Sequence, residues 1–404
     1  MILDRVSRKN RWGIIADDLT GATDSAAAFA RAGFPALVLF EKTRVHELPG
    51  QVVVLSSDSR QSSPAVARRK VQSACRWLHQ QGIPLLYKKL DSTLHGNIAT
   101  EIATIRDTAR FDTALFCPAN PAQGRVVRRG CLLVHGEERG RLHERLGFPY
   151  PAGDSRVASP RGAPSSPGQL EDVASVFAPS NTRACARALN ESRLVLADAV
   201  SFADLGRLTT AALQSKRRVL LAGSAGMAWS LARHLGRVLG ISALPSRALR
   251  PSRQGAARPF LVFSGSANPV TRRQIRLLQK RRKAQVMSLN ARSAVQARRA
   301  LAAGRPVVIR MPVHAQSERK ILAHLKTFTP LVREKAASGF VVVGGDTTLL
   351  LCRWLRPRAL AIEGEILPGL AWGRWIGGVA AGLRVCTKPG GFGTEDALER
   401  ITQK

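Results

Sequence analysis

Short apolar runs of strand length alternate with longer stretches of helical periodicity along most of this chain. Predicted helices cover residues 22–32, 64–80 and 97–109, and the apolar runs around them are residues 13–16, 36–40, 52–56, 85–89 and 113–117. Parallel strands need long crossover connections, which are usually helices, so this succession favours parallel sheets. The sequence therefore predicts an α/β fold of two domains, each a mostly parallel sheet flanked by helices.

The chain is long enough for those two domains. It has 404 residues, and a domain usually contains about 100–200 residues. Residues 241–258 are rich in Pro, Ser and Arg, which is typical of an interdomain linker. We therefore expect one domain at residues 1–240 and another at 259–404. Residues 137–183 lose all periodicity, which predicts a divergent or disordered loop inside the first domain.

The charge of the chain is strongly basic. Its 62 Lys and Arg residues against 28 Asp and Glu give a formal net charge of +34, which attracts polyanions. The basic residues are dispersed as pairs and short groups, and aromatic residues make up only 5%, which argues against a base-stacking platform for nucleic acid. We expect a solvated, arginine-rich surface, and an anionic substrate fits the charge equally well.

Cysteine spacing and hydropathy exclude other classes of protein. The six cysteines lie far apart and form no CxxC motif, which predicts reduced, mostly buried thiols and no metal site. No apolar run approaches the roughly 18 residues of a membrane helix, and no signal-peptide core follows the basic start of the chain. We expect a cytoplasmic protein without a membrane partner.

The segment GIIADDLTG places Asp17 and Asp18 between a predicted strand and a predicted helix. Successive side chains on an extended backbone point in opposite directions, so one aspartate can face a ligand while the other caps the helix. The carboxylate that faces the ligand can bind a hydroxyl group or act as a base. The alternative interpretation is that both residues only cap the helix.

Two further predicted strands also end in polar residues. LLYKKLDST delivers Lys88, Lys89, Asp91 and Ser92 into a turn, and VVVLSSDSR ends with Arg60. Lysines beside an aspartate can pair with a substrate carboxylate while the aspartate orients hydroxyl groups, and an arginine fork also suits a carboxylate. A surface salt-bridge cluster and an ordinary loop arginine remain the alternatives.

Three turns of small residues follow predicted strands in the second half of the chain. Small residues at such positions let backbone N–H groups approach phosphate oxygens closely, so three turns in one domain predict a nucleotide site. Neither GxxxxGK[ST] nor GxGxxG is present. The candidate nucleotide-binding residues are Ser264, Gly265 and Ser266 in FSGSAN, Gly344, Gly345, Asp346 and Thr347 in VVVGGDTT, and Gly390, Gly391, Phe392 and Gly393 in KPGGFG.

Eight motifs resemble, in order, those of the four-carbon acid sugar kinase family, whose members phosphorylate tetronic acids with ATP. They are IIADDLTGATDSA, YKKLDSTLHGN, CPANPAQGR, GSAG, SGSANPVTRRQ, VVVGGDTT, EILPGLAWG and KPGGFG. The resemblance covers most of residues 13–136 and 194–398. It implies an amino-terminal domain that binds the sugar acid and a carboxyl-terminal domain that binds the nucleotide.

The resemblance also implies roles for individual residues. Asp18, Arg60 and the run 88–91 would contact the acid sugar, while Ser264, Gly344 with its neighbours and the run 390–393 would contact ATP. Asp18 or Asp91 would accept the proton of the substrate hydroxyl, and Mg²⁺ would bridge the phosphates. His95 stands where the family pattern has arginine.

The expected function is ATP-dependent phosphorylation of the terminal hydroxyl of an acid such as D-threonate or D-erythronate. The form YKKLDST looks more like the D-threonate branch than the 3-oxo-tetronate branch. The alternatives are a 3-oxo-tetronate kinase, a nucleotide-binding relative without turnover and a nucleic-acid-binding protein on the same scaffold. A homodimer is the default assembly for such an enzyme.

Overall fold

The computed structural model describes residues 10–40, 45–148, 173–176, 182–243, 259–312, 317–367 and 369–402. The chain forms two compact units. The first contains Met1–Phe34 and Val45–Ala243, and the second contains Pro35–Arg44 and Leu244–Lys404. The linker expected at residues 241–258 lies mostly outside the described residues.

Strands and helices alternate through both units. The strands are β1 (Trp12–Ala16), β2 (Ala36–Leu39), β3 (Val52–Ser56), β4 (Leu85–Lys89), β5 (Thr113–Cys117), β6 (Arg125–Arg128), β7 (Cys131–Val134), β8 (Glu137–Arg141), β9 (Val173–Val176), β10 (Leu194–Ala197), β11 (Val219–Gly223), β12 (Leu261–Ser264), β13 (Gln285–Ser288), β14 (Val307–Arg310), β15 (Gly339–Val343), β16 (Ala359–Leu367), β17 (Leu370–Ile376) and β18 (Arg384–Lys388). The helices are α1 (Leu19–Arg31), α2 (Pro64–Gln80), α3 (Ile98–Thr108), α4 (Leu142–Leu146), α5 (Thr182–Glu191), α6 (Phe202–Gln214), α7 (Ala225–Leu239), α8 (Pro269–Arg282), α9 (Ser293–Ala302), α10 (Glu318–Lys326), α11 (Thr329–Arg333), α12 (Gly345–Leu355) and α13 (Ala397–Thr402).

The sheet of the first unit is parallel, in the order β3-β1-β4-β11-β5-β10-β9. The chain leaves β1 towards β3 on one side and towards β4 on the other, so β1 marks a topological switch point. Ala16 at the end of β1 pairs with both Ser56 and Lys89, which brings three strand ends level with one another. In open α/β sheets, ligands bind beyond the carboxyl ends of the strands at such a point.

Helices cover this sheet, as the sequence predicted. α1, α7, α6 and α5 pack side by side, and α2 packs against α3. The apolar residues of β1 are fully buried between these helices, because a parallel strand covered on both faces has no polar side. The predicted α/β class with mostly parallel, helix-flanked sheets is confirmed.

A small antiparallel sheet, in the order β6-β7-β8, stands beside the parallel one. Its first hairpin turns at Arg129 and Gly130, which both have positive φ angles of 50° and 71°, as a two-residue type I′ turn requires. Asp198 accepts hydrogen bonds from the backbone N–H groups of both turn residues. Burial raises the pKa of Asp198 to about 6, although these two hydrogen bonds oppose the rise.

The expectation of a divergent or disordered loop at residues 137–183 is wrong as regards disorder in the parts that the structure describes, and the divergence of this segment stays a prediction. β8 pairs with β7, α4 follows it directly, and β9 pairs with β10 at the edge of the parallel sheet. The sequence of β8 is rich in Arg and Glu and most of its residues are exposed, so it lacks the apolar pattern from which a strand is predicted. Residues 149–172 and 177–181 lie outside the described residues.

We expect Asp198 to make the stability of the protein depend on pH. A folded-state pKa of about 6 lies above the unfolded value of 3.8, so the folded state binds the proton more tightly. The contribution is therefore fully present below about pH 4 and is lost as the pH rises through 6, by about 3 kcal/mol. Urea unfolding at pH 4, 5, 6 and 7 should show that the native chain gains stability over Asp198→Asn as the pH falls.

Asp58, whose side chain is 69% accessible and whose ion-pair partner Lys70 is also partly exposed, supplies the matched control. The stability difference between the native chain and Asp58→Asn should not change with pH, because an exposed ion pair contributes little to stability. A free-energy difference between the native chain and Asp198→Asn that stays constant from pH 4 to pH 7 would contradict this role for Asp198.

The second unit carries a sheet in the order β13-β14-β12-β15-β18-β17-β16-β2. The five strands β13, β14, β12, β15 and β18 are parallel, whereas β17, β16 and β2 continue the sheet in antiparallel fashion. β12 lies between β14 and β15, so the chain again switches direction at the first strand. The carboxyl ends of β12, β15 and β18 are neighbours.

Alternate residues of β12 face two separate parts of the core. Val262 packs in a cluster with residues of α8 and α13, whereas the ring of Phe263 meets Phe328, Phe340 and Trp354 in edge-on contacts. Their ring centroids lie 5.8–6.0 Å apart, which is a favourable spacing for aromatic pairs.

Residues 36–40 were assigned from sequence to the first domain, but Pro35–Arg44 belongs to the second unit. β2 pairs antiparallel with β16, with Ala36 opposite Ile362 and Leu39 opposite Ala359. The order of segments along the chain could not predict this pairing, because β2 and β16 are more than 300 residues apart. None of the helices in the described part of the chain is long and apolar enough to cross a bilayer.

Candidate functional site

The polar residues predicted in the first unit meet at the ends of three adjacent strands. Asp17 and Asp18 follow β1, Arg60 follows β3, and Lys89 ends β4 with Asp91 two residues beyond. Since β1 lies between β3 and β4, these side chains share one edge of the sheet. We call Asp17, Asp18, Arg60, Lys89 and Asp91 the polar cluster.

Arg60 joins the two adjacent aspartates. Its Nε and Nη2 donate to the two carboxylate oxygens of Asp17, at 2.8 and 2.9 Å, and its Nη1 donates to Oδ2 of Asp18 at 2.6 Å. Asp17 is only 1% exposed, whereas the side chains of Asp18 and Arg60 are each 24% exposed. Burial would lower the pKa of Arg60, but the bonds to Asp17 and the charges of both aspartates raise it above its ordinary value.

Asp18 begins helix α1 and also faces the polar cluster. Its backbone is extended and its Oδ1 accepts the N–H of Gly21 at 2.6 Å, which is the standard geometry of an N-cap. Burial raises the pKa of Asp18 above its ordinary value; attraction to Arg60 opposes this rise and repulsion from Asp17 adds to it. The sequence prediction divided capping and ligand binding between the two aspartates, whereas the structure gives the cap to Asp18.

Asp91 stands apart from the aspartate pair and is held by its own turn. Its Oδ2 accepts from Thr93 Oγ1 and from the backbone N–H of His95, and it lies 2.9 Å from His95 Nδ1. Burial alone would raise the pKa of Asp91, but the charge of Arg60 and these hydrogen bonds hold it well below its usual range. Asp91 is therefore held as an anion, and all three of these contacts are to its Oδ2.

Lys88 and Lys89 point to opposite faces of the sheet. Lys89 donates to the carbonyl of Leu90 at 2.9 Å, and its charge acts on Asp18. Lys88 is completely buried, and its Nζ lies 2.5 Å from Oε2 of Glu101, which is also completely buried. The structure therefore brings Lys89 to the polar cluster and does not bring Lys88 there, contrary to the prediction that both lysines contact substrate.

A buried chain of hydrogen bonds continues from Glu101. Ser59 Oγ donates to Glu101 Oε1 at 2.7 Å and lies 2.8 Å from Ser57 Oγ, which donates to the carbonyl of Ala16. These buried hydrogen bonds hold the segment between β3 and Arg60 in place. It explains why polar residues at this strand end are buried.

Arg125 is a neighbour of the polar cluster that the sequence analysis did not single out. Its Nη1 donates to Ser92 Oγ, and the charges of Asp91 and Asp24 act on it. Burial lowers the pKa of Arg125 from its ordinary value against that attraction. Its position in the CPANPAQGR motif, immediately after Gly124, was the available signal, and the 3₁₀ turn at Pro121–Gln123 is what delivers it.

The three small-residue turns predicted in the second unit come together at the ends of β12, β15 and β18. Gly265 N–H donates to Thr347 Oγ1 at 3.0 Å, so the turns after β12 and β15 touch. Gly390 lies so close to Ser266 Oγ that a Cβ at this position would collide with it. The structure thus brings the FSGSAN, VVVGGDTT and KPGGFG segments to one place.

Gly344 opens helix α12 with a φ angle of +104°, a value that side chains disfavour. Its N–H donates to the carbonyl of Lys388, which ties the turn after β15 to the end of β18. Gly345 and Asp346 form the first turn of α12, where the helix dipole favours anions such as phosphate. Asp346 is exposed.

The loop after β18, residues 389–394, contains Gly390, Gly391, Phe392 and Gly393 and is partly or fully exposed. Lys388, at its base, is buried and donates to the carbonyls of Pro389 and Gly390 at 3.0 and 3.3 Å. Burial lowers the pKa of Lys388 to about 8. The sequence analysis found the glycines of this loop but did not select its lysine.

All six cysteines are free, four of them buried, as the spacing predicted. In the described part of the chain, no group of three or more His, Cys, Asp or Glu side chains is placed to hold a metal ion.

Family models match both units. A sugar-binding N-terminal domain matches residues 12–231, and a nucleotide-binding C-terminal domain matches residues 261–398. The chain belongs to the four-carbon acid sugar kinase family. It is a phosphotransferase of this family, since the curated relatives are named as kinases of four-carbon acid sugars.

The relatives span the length of the chain. A D-threonate kinase from Bordetella bronchiseptica is 31% identical over 97% of this chain and 96% of its own length. A D-threonate kinase from Salmonella typhimurium is 27% identical over 95% and 96%, and a 3-oxo-tetronate kinase from Cupriavidus necator is 30% identical over 97% and 96%. Relatives with different substrate names therefore show comparable identity, so the family is shown and the acid is not.

Solved structures share the fold. A structure described as a putative tRNA synthase from Salmonella typhimurium has a TM-score of 0.72 and 20% identity, and covers 97% of this chain and 99% of its own. A Haemophilus influenzae protein has a TM-score of 0.65, 19% identity and the same coverage. At this identity, the likeness concerns the fold alone.

Proposed function

We propose that this protein transfers the γ-phosphoryl group of ATP to the terminal hydroxyl of a four-carbon sugar acid, with D-threonate or D-erythronate as the leading substrates. The observation that carries the proposal is the polar cluster, in which cations and carboxylates stand together at three adjacent strand ends. A tetronic acid needs both, because it offers a carboxylate and several hydroxyl groups.

The carboxylate of the acid is assigned to the cations of the polar cluster. Lys89 and Arg125 are the leading partners, since Arg60 uses three of its N–H groups on Asp17 and Asp18. Arg60 keeps two further N–H groups in its fork and can add a contact to the acid. Asp17, buried beneath Arg60, orients the fork rather than touching the substrate.

The hydroxyl groups are assigned to Asp91, Asp18 and Ser92. The turn around Asp91 bonds to its Oδ2, which leaves Oδ1 to accept a hydrogen bond from a substrate hydroxyl. Phosphoryl transfer passes through a loose transition state, so orientation of the attacking oxygen matters more than the strength of a base. The raised pKa of Asp18 makes this residue the better proton acceptor near neutral pH.

The nucleotide is assigned to the three turns of the second unit. Their candidate residues are Ser264, Gly265, Ser266, Gly344, Gly345, Asp346, Thr347, Gly390, Gly391, Phe392 and Gly393, which the structure gathers at the switch point beside β12. In the reaction, the acid oxygen forms a bond to the γ-phosphorus, the bond from that phosphorus to the β–γ bridging oxygen breaks, the hydroxyl proton passes to Asp18 and ADP is released.

Mg²⁺ fits this site as an ion carried by the phosphates. It usually retains several waters and takes one or two carboxylates together with phosphate oxygens. Asp346 is the carboxylate among the candidate nucleotide residues, and its exposed place in the first turn of α12 suits that role. The ion would neutralise the charge that develops on the transferred group.

D-Threonate is the preferred substrate. The YKKLDST sequence is the feature that favours it, and the relatives named D-threonate kinase include the one at 31% identity. Since 3-oxo-tetronate kinases reach 30%, the 3-oxo acids are the alternative. The partners of this function are the acid and ATP, with a homodimer as the proposed assembly.

A phosphorylation assay tests the proposal. The purified chain with ATP and Mg²⁺ is offered D-threonate, D-erythronate, L-threonate and the 3-oxo acids, while ADP release and phosphorylated product are both measured. We expect one acid to give equal amounts of ADP and product. ADP without a phosphorylated acid, or ATP binding without turnover of any acid, would reject the kinase in favour of a nucleotide-binding relative.

A further inference from the structure

The loop at residues 389–394 is held almost entirely by its carbonyl groups. Nε2 of Gln274 lies 3.1, 3.2 and 2.8 Å from the carbonyl oxygens of Phe392, Gly393 and Thr394, so its two hydrogens are shared among three acceptors. Thr271 Oγ1 donates to the carbonyl of Gly390 at 2.6 Å. Together with Lys388, these side chains direct five carbonyls of one exposed loop towards the interior of the unit.

Gln274 is built into the core to make these contacts. It is 1% exposed and lies one turn after Thr271 on helix α8, so both side chains project from the same face. A buried glutamine amide is costly unless its polar atoms are bonded. Nε2 of Gln274 has the loop carbonyls as partners, whereas its Oε1 is buried without a hydrogen-bond partner among the described residues. The contacts of Nε2 with the loop are therefore what the structure gains from an amide at this position.

Peptide geometry gives that purpose. In a trans peptide, the carbonyl and the following N–H point in opposite directions, and the described residues contain no cis peptide bond. Drawing the carbonyls inward therefore turns the N–H groups of Gly390, Gly391, Gly393, Thr394 and Glu395 away from the side chains that hold those carbonyls. Several outward N–H groups in one short, exposed loop are donors to which phosphate oxygens can bind.

We propose that Gln274 is the positioning residue of the nucleotide-phosphate loop: by holding three carbonyls inward, it presents the N–H groups of residues 393–395 to the phosphates of ATP. Thr271 does the same for the N–H of Gly391. This inference rests on the proposed kinase function. Side chains of α8 would then fix the direction of the peptide groups in the loop. Glycines cannot do this alone, because their backbone has no preferred conformation.

The first test replaces Gln274 with methionine, which keeps the length and removes the donor. We expect the Kd for ATP, measured by calorimetry on the full chain, to rise about tenfold to a hundredfold, because the N–H groups lose their common direction. The KM for the acid should stay within twofold of the native value, since the polar cluster is built from the first unit. Gln279→Met, at an exposed glutamine of the same helix, is the matched control and should bind ATP as the native chain does.

A second pair of variants covers the case in which Gln274→Met folds poorly. Thr271→Val removes the hydroxyl at constant volume, whereas Thr271→Ser keeps it. We expect Thr271→Val to weaken ATP binding and Thr271→Ser to retain it, with both variants melting within a few degrees of each other.

The outcomes separate the two proposals. If the native chain does not bind ATP, the proposed function itself fails, and this inference fails with it. If the native chain binds ATP and Gln274→Met and Thr271→Val bind it equally well, only the inference is overturned. Equal losses in ATP binding, acid KM and melting temperature would also overturn it, because they would show a merely structural role.

Discussion

Arg60→Lys should lower kcat/KM for the acid by about a hundredfold, although it preserves the charge. A lysine ammonium cannot donate at once to both oxygens of Asp17 and to Oδ2 of Asp18, which Arg60 does with a planar fork. Without that bridge, we expect Asp18, whose other oxygen caps α1, to be held less firmly in its position towards the acid. Steady-state kinetics with varied acid at saturating ATP measures the loss.

Arg60→Ala should go further and destabilise the first unit. It leaves the carboxylate of Asp17 buried without its guanidinium, and removing one partner of a buried pair costs about 3–5 kcal/mol. We expect a value near the lower end, since Arg60 itself is partly exposed. Arg69→Lys, on an exposed position of α2, is the control and should leave both kinetics and stability unchanged. Native kinetics in Arg60→Lys would show that the bridge plays no part in catalysis.

The strand ends that carry the polar cluster could be predicted from the sequence because they depend on local patterns. An apolar run followed by DD, KKLD or SSDSR marks the end of a buried strand, and the parallel order then brings these ends together. The structure confirms the α/β class for the same reason: hydrophobic periodicity is a property of a few neighbouring residues. The roles of the individual site residues remain predictions.

What the sequence could not predict depends on distant partners. Lys88 and Lys89 look alike in the sequence. Their side chains point to opposite faces of the sheet, and the face on which α3 places Glu101 is the one that receives Lys88. β2 joins the second unit because its partner, β16, is supplied near the other end of the chain. Gln274 lacked a signal of its own, because a glutamine in a helix is ordinary until its contacts are known, and the signal for Arg125 was limited to its place after Gly124 in the CPANPAQGR motif.

The residues 137–183 show a different limit. β8 is exposed and charged, and β9 is a strand of four residues, so neither produces the periodicity that sequence analysis requires. β9 is recognised only by its pairing with β10, whose residues 194–197 are buried on both faces. Composition alone indicated a loop where pairing produces strands.

The buried ion pair of Lys88 and Glu101 should make a large contribution to the stability of the protein. Lys88→Met should destabilise the protein by about 3–5 kcal/mol, because it leaves the completely buried carboxylate of Glu101 without its cation. Glu101→Gln should be similarly damaging, since it leaves the lysine charge buried. The double variant should recover most of the loss, because Met and Gln fill the same volume without charge and Gln can still accept the bond from Ser59. Urea unfolding of the four chains measures the coupling free energy.

The same double variant decides between the two roles considered for Lys88. If the lysine only stabilises the fold, the double variant should fold and keep the native KM for the acid, because Lys89 still faces the polar cluster. If Lys88 binds the substrate, the variant should fold and lose affinity for the acid. Lys89→Met should give the opposite pattern, with a large rise in KM and the smaller effect on stability, because Asp18 keeps Arg60 as its cation. Equal changes in the KM for the acid in the Lys88/Glu101 double variant and in Lys89→Met would contradict the proposal that Lys89, and not Lys88, binds the substrate.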